Sequence, residues 1–275
     1  MDVAYGRFRT IGVGARPPGV TTRPSEVVIY SMLNNAYEDT FFPREDYDVL
    51  PVFNRPARSQ MSSHTEVSVS YHETADRFVV AYVDLNSSVR LLSLSGVTGH
   101  PVDAQDSLLL PVDTGFDSVL PPKIVCDSHA PQTYSFCYLY LVPTSGGVDN
   151  IFDGAFIRAA VNVSSSGLLT VSSNTAIESS ALAALLIKGG TYGENAVAPQ
   201  PTSGFFLNVE PFSSASLNEV RFMFDDVGAF SSSYGDGFSS TYMTLTTTAP
   251  SGFRSNLSSM DWNEALRRFV VVTAR

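Results

Sequence analysis

The sequence predicts a mainly β protein, a β-sandwich or jelly-roll-like barrel with long loops and one or two short helices. A β-propeller is the alternative architecture. Three observations carry the fold class. Apolar and polar residues alternate with period two over most of the chain, the repeat of a half-buried strand. Gly, Pro, Asn, Asp and Ser recur between the alternating stretches, where turns need left-handed or preset backbone angles. Charged residues make up 16% against 44% hydrophobic, and Ser and Thr fill outward strand positions.

Residues 1–24, rich in Arg, Gly and Pro, read as an extended N-terminal arm of one β-rich domain spanning 1–275. Glu66 to Tyr71 then alternates apolar-in and polar-out. His72 to Asp76 breaks the pattern, and Arg77 to Val83 follows as a continuous apolar strand. Asn86-Ser87-Ser88 makes the next turn before Val89 to Leu94, ending at Gly96. The three strands predict a meander. Further strands are expected at Tyr134–Val142, Ala155–Val163, Leu168–Ser172, Phe205–Val209, Glu219–Phe224, Thr241–Thr247 and Phe269–Thr273.

Two stretches read as helix. Thr175-Ala176-Ile177-Glu178 is a capping box, in which hydroxyl and carboxylate satisfy orphan amides reciprocally. It leads towards Lys188, with Ile177, Ala181, Leu182 and Leu185 on one face and Gly189-Gly190 as the stop. Ser258 to Arg268 is the second, with a turn between strands as its competitor. The polar-turn-then-strand pattern recurs near Arg77, Tyr134, Glu219 and Arg267, which suits propeller blades. Its spacing is uneven, so the sandwich is preferred.

Cys126 and Cys137 flank a hairpin. Two buried thiols are expected there in preference to a cross-strand bridge, because free cysteine is among the most buried residue types. A zinc site including His129 lacks the four closely spaced ligands it needs.

The chain carries 17 Lys+Arg against 27 Asp+Glu, a net charge of −10. That balance repels phosphate backbones, so no direct nucleic-acid partner is expected. No stretch approaches the roughly 18 apolar residues of a membrane span. The first residues lack the basic and apolar regions of a secretory signal. Only Lys123 and Lys188 are lysines, and an arginine-weighted surface suits protein interfaces.

Catalytic and metal chemistry finds no complete motif. The acidic run Glu38 to Asp48 lacks the glycine and alternate oxygen ligands of a calcium loop. Asp149 to Gly154, Asp225-Asp226 and Gly235-Asp236-Gly237 read as ordinary Asx-Gly turns. His64, His72, His100 and His129 show no metal spacing, and neither a nucleophile elbow nor a phosphate loop is present. Asn86, Asn162 and Asn256 open N-glycosylation acceptor patterns, which a serine-rich chain produces readily by chance. No catalytic, cofactor-binding or metal residue and no cofactor are therefore assigned.

The expectation that follows is a non-enzymatic assembly protein, a virion component (coat, capsid-attached, tail or spike) acting through protein contacts. Its partners would be copies of itself or other subunits of a large assembly, and Arg7, Arg9, Phe41, Phe42 and Tyr47 are the candidate interface residues. The alternatives are an extracellular carbohydrate-binding or glycan-cleaving β domain, with glycan as partner, and a cellular propeller scaffold in the cytoplasm.

Overall fold

A computed structural model describes residues 2–16, 26–34, 48–50, 67–84, 89–102, 118–119, 122–126, 136–141, 143–144, 155–178, 185–195, 202–211, 219–225, 243–246, 258–263, 266 and 268–273. All regular structure among them is strand. The chain forms two compact units, 1–139 with 159–174, and 140–158 with 175–275.

The first sheet is a four-stranded meander of β1 (Asp2–Tyr5), β2 (Arg9–Arg16), β3 (Glu26–Leu33) and β4 (Asp48–Leu50), in that order. Its strands pair antiparallel, with Ala4 opposite Ile11 and Val13 opposite Ile29. Residues 2–16 of the segment read as an arm thus belong to a sheet, and they place Ala4, Ile11 and Val13 in the core.

The second sheet is the expected meander: β5 (Ser68–His72), β6 (Arg77–Val83) and β7 (Val89–Ser95). The β5–β6 turn closes through Asp76 N–H donating to Glu73 O. Asp76 holds φ +50°, a left-handed angle that short polar side chains tolerate. Gly96 N–H donates to Asp76 O, and a Cβ on Gly96 would collide with the Asp76 carboxylate. Glycine is required there by close approach.

Val67, Val69, Phe78, Val80, Tyr82, Leu92 and Leu94 of this sheet and its entry pack on Ala4, Ile11, Val13, Val27 and Ile29 of the first. Phe78, Tyr82 and Ile11 are fully buried, each contributing about 1.5–3 kcal/mol relative to exposure. Polar-out alternation fails on β5. Ser68 is 2% exposed, because this strand packs against both β1 and β9 (Lys123–Cys126).

Two short strands, β8 (Ser118–Val119) in the first unit and β11 (Pro143–Thr144) in the second, accompany the larger sheets. A further four-stranded sheet runs β13 (Leu169–Glu178), β12 (Ala155–Val163), β10 (Phe136–Leu141), β9. Cys126 and Cys137 stand on its neighbouring strands β9 and β10, and both are buried. They form a disulfide with Cα atoms 3.9 Å apart. The expectation of reduced thiols is corrected: pairing of the two strands brings the sulfurs within bonding reach, and burial then protects the bond.

The remaining strands are β14 (Leu185–Asn195), β15 (Thr202–Pro211), β16 (Glu219–Asp225) and β17 (Met243–Thr246), again a sequential sheet, with the hairpin β18 (Ser258–Asn263) and β19 (Arg268–Thr273). The helix expected from Thr175 to Lys188 is corrected here, and of the two readings of Ser258 to Arg268 the turn between strands is the one found. Thr175 to Glu178 ends β13, and Leu185 opens β14; residues 179–184 lie outside the described residues. β14 pairs with β15 from Leu185↔Pro211 to Asn195↔Thr202, and the register shifts between Ile187 and Gly189. Gly189-Gly190 therefore follows a β-bulge and does not cap a helix. Ser258 to Asn263 pairs residue for residue with Thr273 to Arg268. In both places pairing with the next strand outweighs a local helical signal of a few tenths of a kcal/mol per residue.

One regularity runs through these sheets. Each larger sheet is built from strands in sequence order, the β9–β13 sheet omitting β11, and three pairs of first strands pack together: β1 with β5, β5 with β9, and β14 with β18. Radially repeated blades are assembled in this way. A sandwich would instead distribute sequential strands between two facing sheets.

Candidate functional site

The packed first strands bring polar groups at their starts into one hydrogen-bonded chain. Asp2 opens β1, and its Oδ2 accepts from Ser68 Oγ and from Val69 N–H, both at 3.0 Å. Asp2 Oδ1 accepts from Val3 N–H at 3.0 Å. Ser68 Oγ in turn accepts from Ile124 N–H at 3.2 Å, beside the buried Lys123 that opens β9. Farther along, Ser70 Oγ accepts from Cys126 N–H at 2.9 Å. Serine hydroxyls serve as rivets between the edges of successive sheets.

Chemically, this cluster offers a half-buried carboxylate, a serine and a lysine on three adjacent strands. A carboxylate oxygen has two lone pairs, and Oδ1 accepts from Val3 N–H through one of them, so Asp2 retains capacity to accept a hydroxyl. Glycoside cleavage by paired carboxylates requires a second one about 5–10 Å away. No second carboxylate joins this hydrogen-bonded chain among the described residues. Nor does any group of His, Cys, Asp and Glu there suit a metal.

Sequence reasoning missed Asp2 and Ser68. Ser68 sits in an alternating pattern that reads as solvent-facing, and no local signal marks a strand buried on both faces. Of the residues expected at an interface, Arg7 is exposed with its guanidinium 5.4 Å from the Phe8 ring centre. Arg9 is engaged within the chain, donating from Nε to Val97 O at 2.6 Å and from Nη1 to Ser31 Oγ at 2.9 Å. Phe41, Phe42 and Tyr47 lie outside the described residues, as do His64, His129 and Asp149 to Gly154. Arg7 lies in the bend between β1 and β2, and Arg9 opens β2.

No protein-family model and no curated protein matches the sequence. Solved structures do. An alpha-L-arabinofuranosidase from Clostridium thermocellum matches over 100% of this chain and 81% of its own, with TM-score 0.53 and 12% identity. The shared fold is the β-propeller. A fucose-specific lectin from Aleuria aurantia matches over 100% of this chain and 70% of its own, at TM-score 0.48 and 9% identity. A second structure of a lectin from that fungus, described as a six-bladed β-propeller, matches at TM-score 0.47 and 7% identity.

Three expectations change with these findings. The propeller replaces the preferred sandwich. The assignment as a non-enzyme is overturned, because the fold is shared with a glycosidase and so gives no ground for excluding catalysis. The virion role finds no support in any of the likenesses.

Proposed function

We propose that this chain is a carbohydrate-active β-propeller, taking a glycan as ligand or as substrate. The observation that carries the reading is the match over the whole chain to an arabinofuranosidase of the same fold. Two further features are compatible with it. The buried disulfide suits a protein that works in an oxidising, extracellular setting. The starts of β1, β5 and β9 gather polar groups, among which the half-buried Asp2 carboxylate keeps an acceptor position for a sugar hydroxyl.

The test has two arms on the same chain. One is a panel of chromogenic glycosides, α-L-arabinofuranosides among them; the other is a glycan array followed by calorimetry on any hit. Hydrolysis or saturable binding is expected in at least one arm. Absence of both overturns the reading.

A further inference from the structure

We infer that Asn162 is an acceptor for an N-linked glycan. Three stretches of the sequence fit the Asn-x-Ser pattern. Asn86 and Asn256 lie outside the described residues, whereas Asn162-Val163-Ser164 lies within them. Asn162 is exposed near the end of β12, while Val161 and Val163 on either side are buried. A glycan on its side chain projects into water and displaces nothing from the core.

Ser164 opens the turn to β13. Its N–H donates to Leu168 O at 3.0 Å, and Gly167 N–H donates to Ser164 O at 2.9 Å, with Gly167 at φ +89°. The Ser164 hydroxyl accepts from Leu168 N–H at 2.9 Å and shares a 2.8 Å hydrogen bond with Ser166 Oγ. The acceptor pattern is read through that hydroxyl, and the closed turn engages it. Transfer therefore precedes turn closure, on a chain still emerging. Cys137 stands on the neighbouring strand β10 in a disulfide, which forms in an oxidising compartment of the kind where glycan transfer takes place.

The donor is an oligosaccharide joined to a lipid through pyrophosphate. Asn162 Nδ2 bonds to the anomeric carbon, the bond from that carbon to the pyrophosphate oxygen breaks, and the lipid pyrophosphate leaves with the electron pair. One amide proton passes to base. Ser164 positions the acceptor and does not react. None of this depends on whether the protein binds or cleaves glycans itself.

The full chain is secreted from eukaryotic cells behind a cleavable signal, and the peptide containing Asn162 is analysed by mass spectrometry before and after peptide N-glycosidase. A glycan mass on that peptide is expected, with Asn converted to Asp after enzymatic release. Ser164→Ala should reduce occupancy to the background of Asn162→Gln, and Ser164→Thr should retain it. Because the readout is a peptide, a folding defect in a variant does not mask it. In a second arm, refolded wild-type chain offered to microsomes should accept far less glycan at Asn162 than chain translated into them. An unmodified Asn162 peptide in secreted, disulfide-bonded wild type overturns the proposal, as does equal occupancy in Ser164→Ala.

Discussion

At the scale of single residues, Tyr71 shows how the turns are fixed. Its hydroxyl donates to Asp76 Oδ1 at 2.8 Å, and its ring lies 4.8 Å from that of Phe78, tilted by 47°. Gly6 is wedged against the same pair: a Cβ there would lie 2.5 Å from Phe78 Cζ and 2.9 Å from Tyr71 Cε2. Burial, with the hydrogen bond to Asp76 second, pushes the Tyr71 phenol up to about 12, partly offset by a backbone hydrogen bond from Arg7. An acid whose pKa is raised on folding holds its proton longer in the native state than in the unfolded one. The stability it contributes is complete below the unfolded value of 10.0 and is lost as pH rises from there towards about 12. Urea midpoints measured across that window should fall, and the fall should be shallower in Tyr71→Phe. Parallel curves for the two proteins would show that Tyr71 has no part in it. Nothing in the sequence around Tyr71 announces this cluster. Tyr71 and Phe78 can be placed on adjoining strands from their pattern, but Gly6 reaches them only through the packing of two sheets.

At the scale of elements, the meander from β5 to β7 was legible because its three strands and two turns are consecutive. Arg77–Val83 forms a strand with the bounds its apolar run implies, and β7 runs one residue past the expected Leu94. The strand ending at Thr175 to Glu178 was not legible, since its local chemistry mimics a helix start, whereas the turn between Ser258 and Phe269 was one of two readings left open by the sequence. The cysteines fall between these cases. Their hairpin is visible in the sequence, and whether they face each other depends on a register that no turn residue specifies. Cross-linking positions 11 apart in sequence restricts the unfolded chain by about 3 kcal/mol. Adding reductant under denaturing conditions and refolding should lower stability by roughly that amount, read as a lower urea midpoint. Identical midpoints with and without reductant, or rapid labelling of both cysteines in the native protein, would contradict the bridge.

At the scale of the molecule, composition and period-two alternation establish a β protein but do not choose between a sandwich and a propeller, because both are made from half-buried meanders. What separates them is which strands meet across sheets. That information resides in contacts such as Asp2 to Ser68 and Ser68 to Ile124, between residues 66 and 56 positions apart. The candidate site was hidden for the same reason: its members are unremarkable singly and acquire meaning only when the first strands come together. The two stretches with the strongest helical signals both include strands, so the whole chain should behave as a strand protein in solution. Its far-UV circular dichroism spectrum is expected to show a single strand-type minimum without the paired minima of helix. The aromatic content of 11% makes near-ultraviolet bands a parallel report on packing, lost together with the far-UV signal in a cooperative transition. A spectrum dominated by paired helical minima would restore the helices read from Thr175 and Ser258 and with them remove the continuous sheets on which the propeller assignment stands.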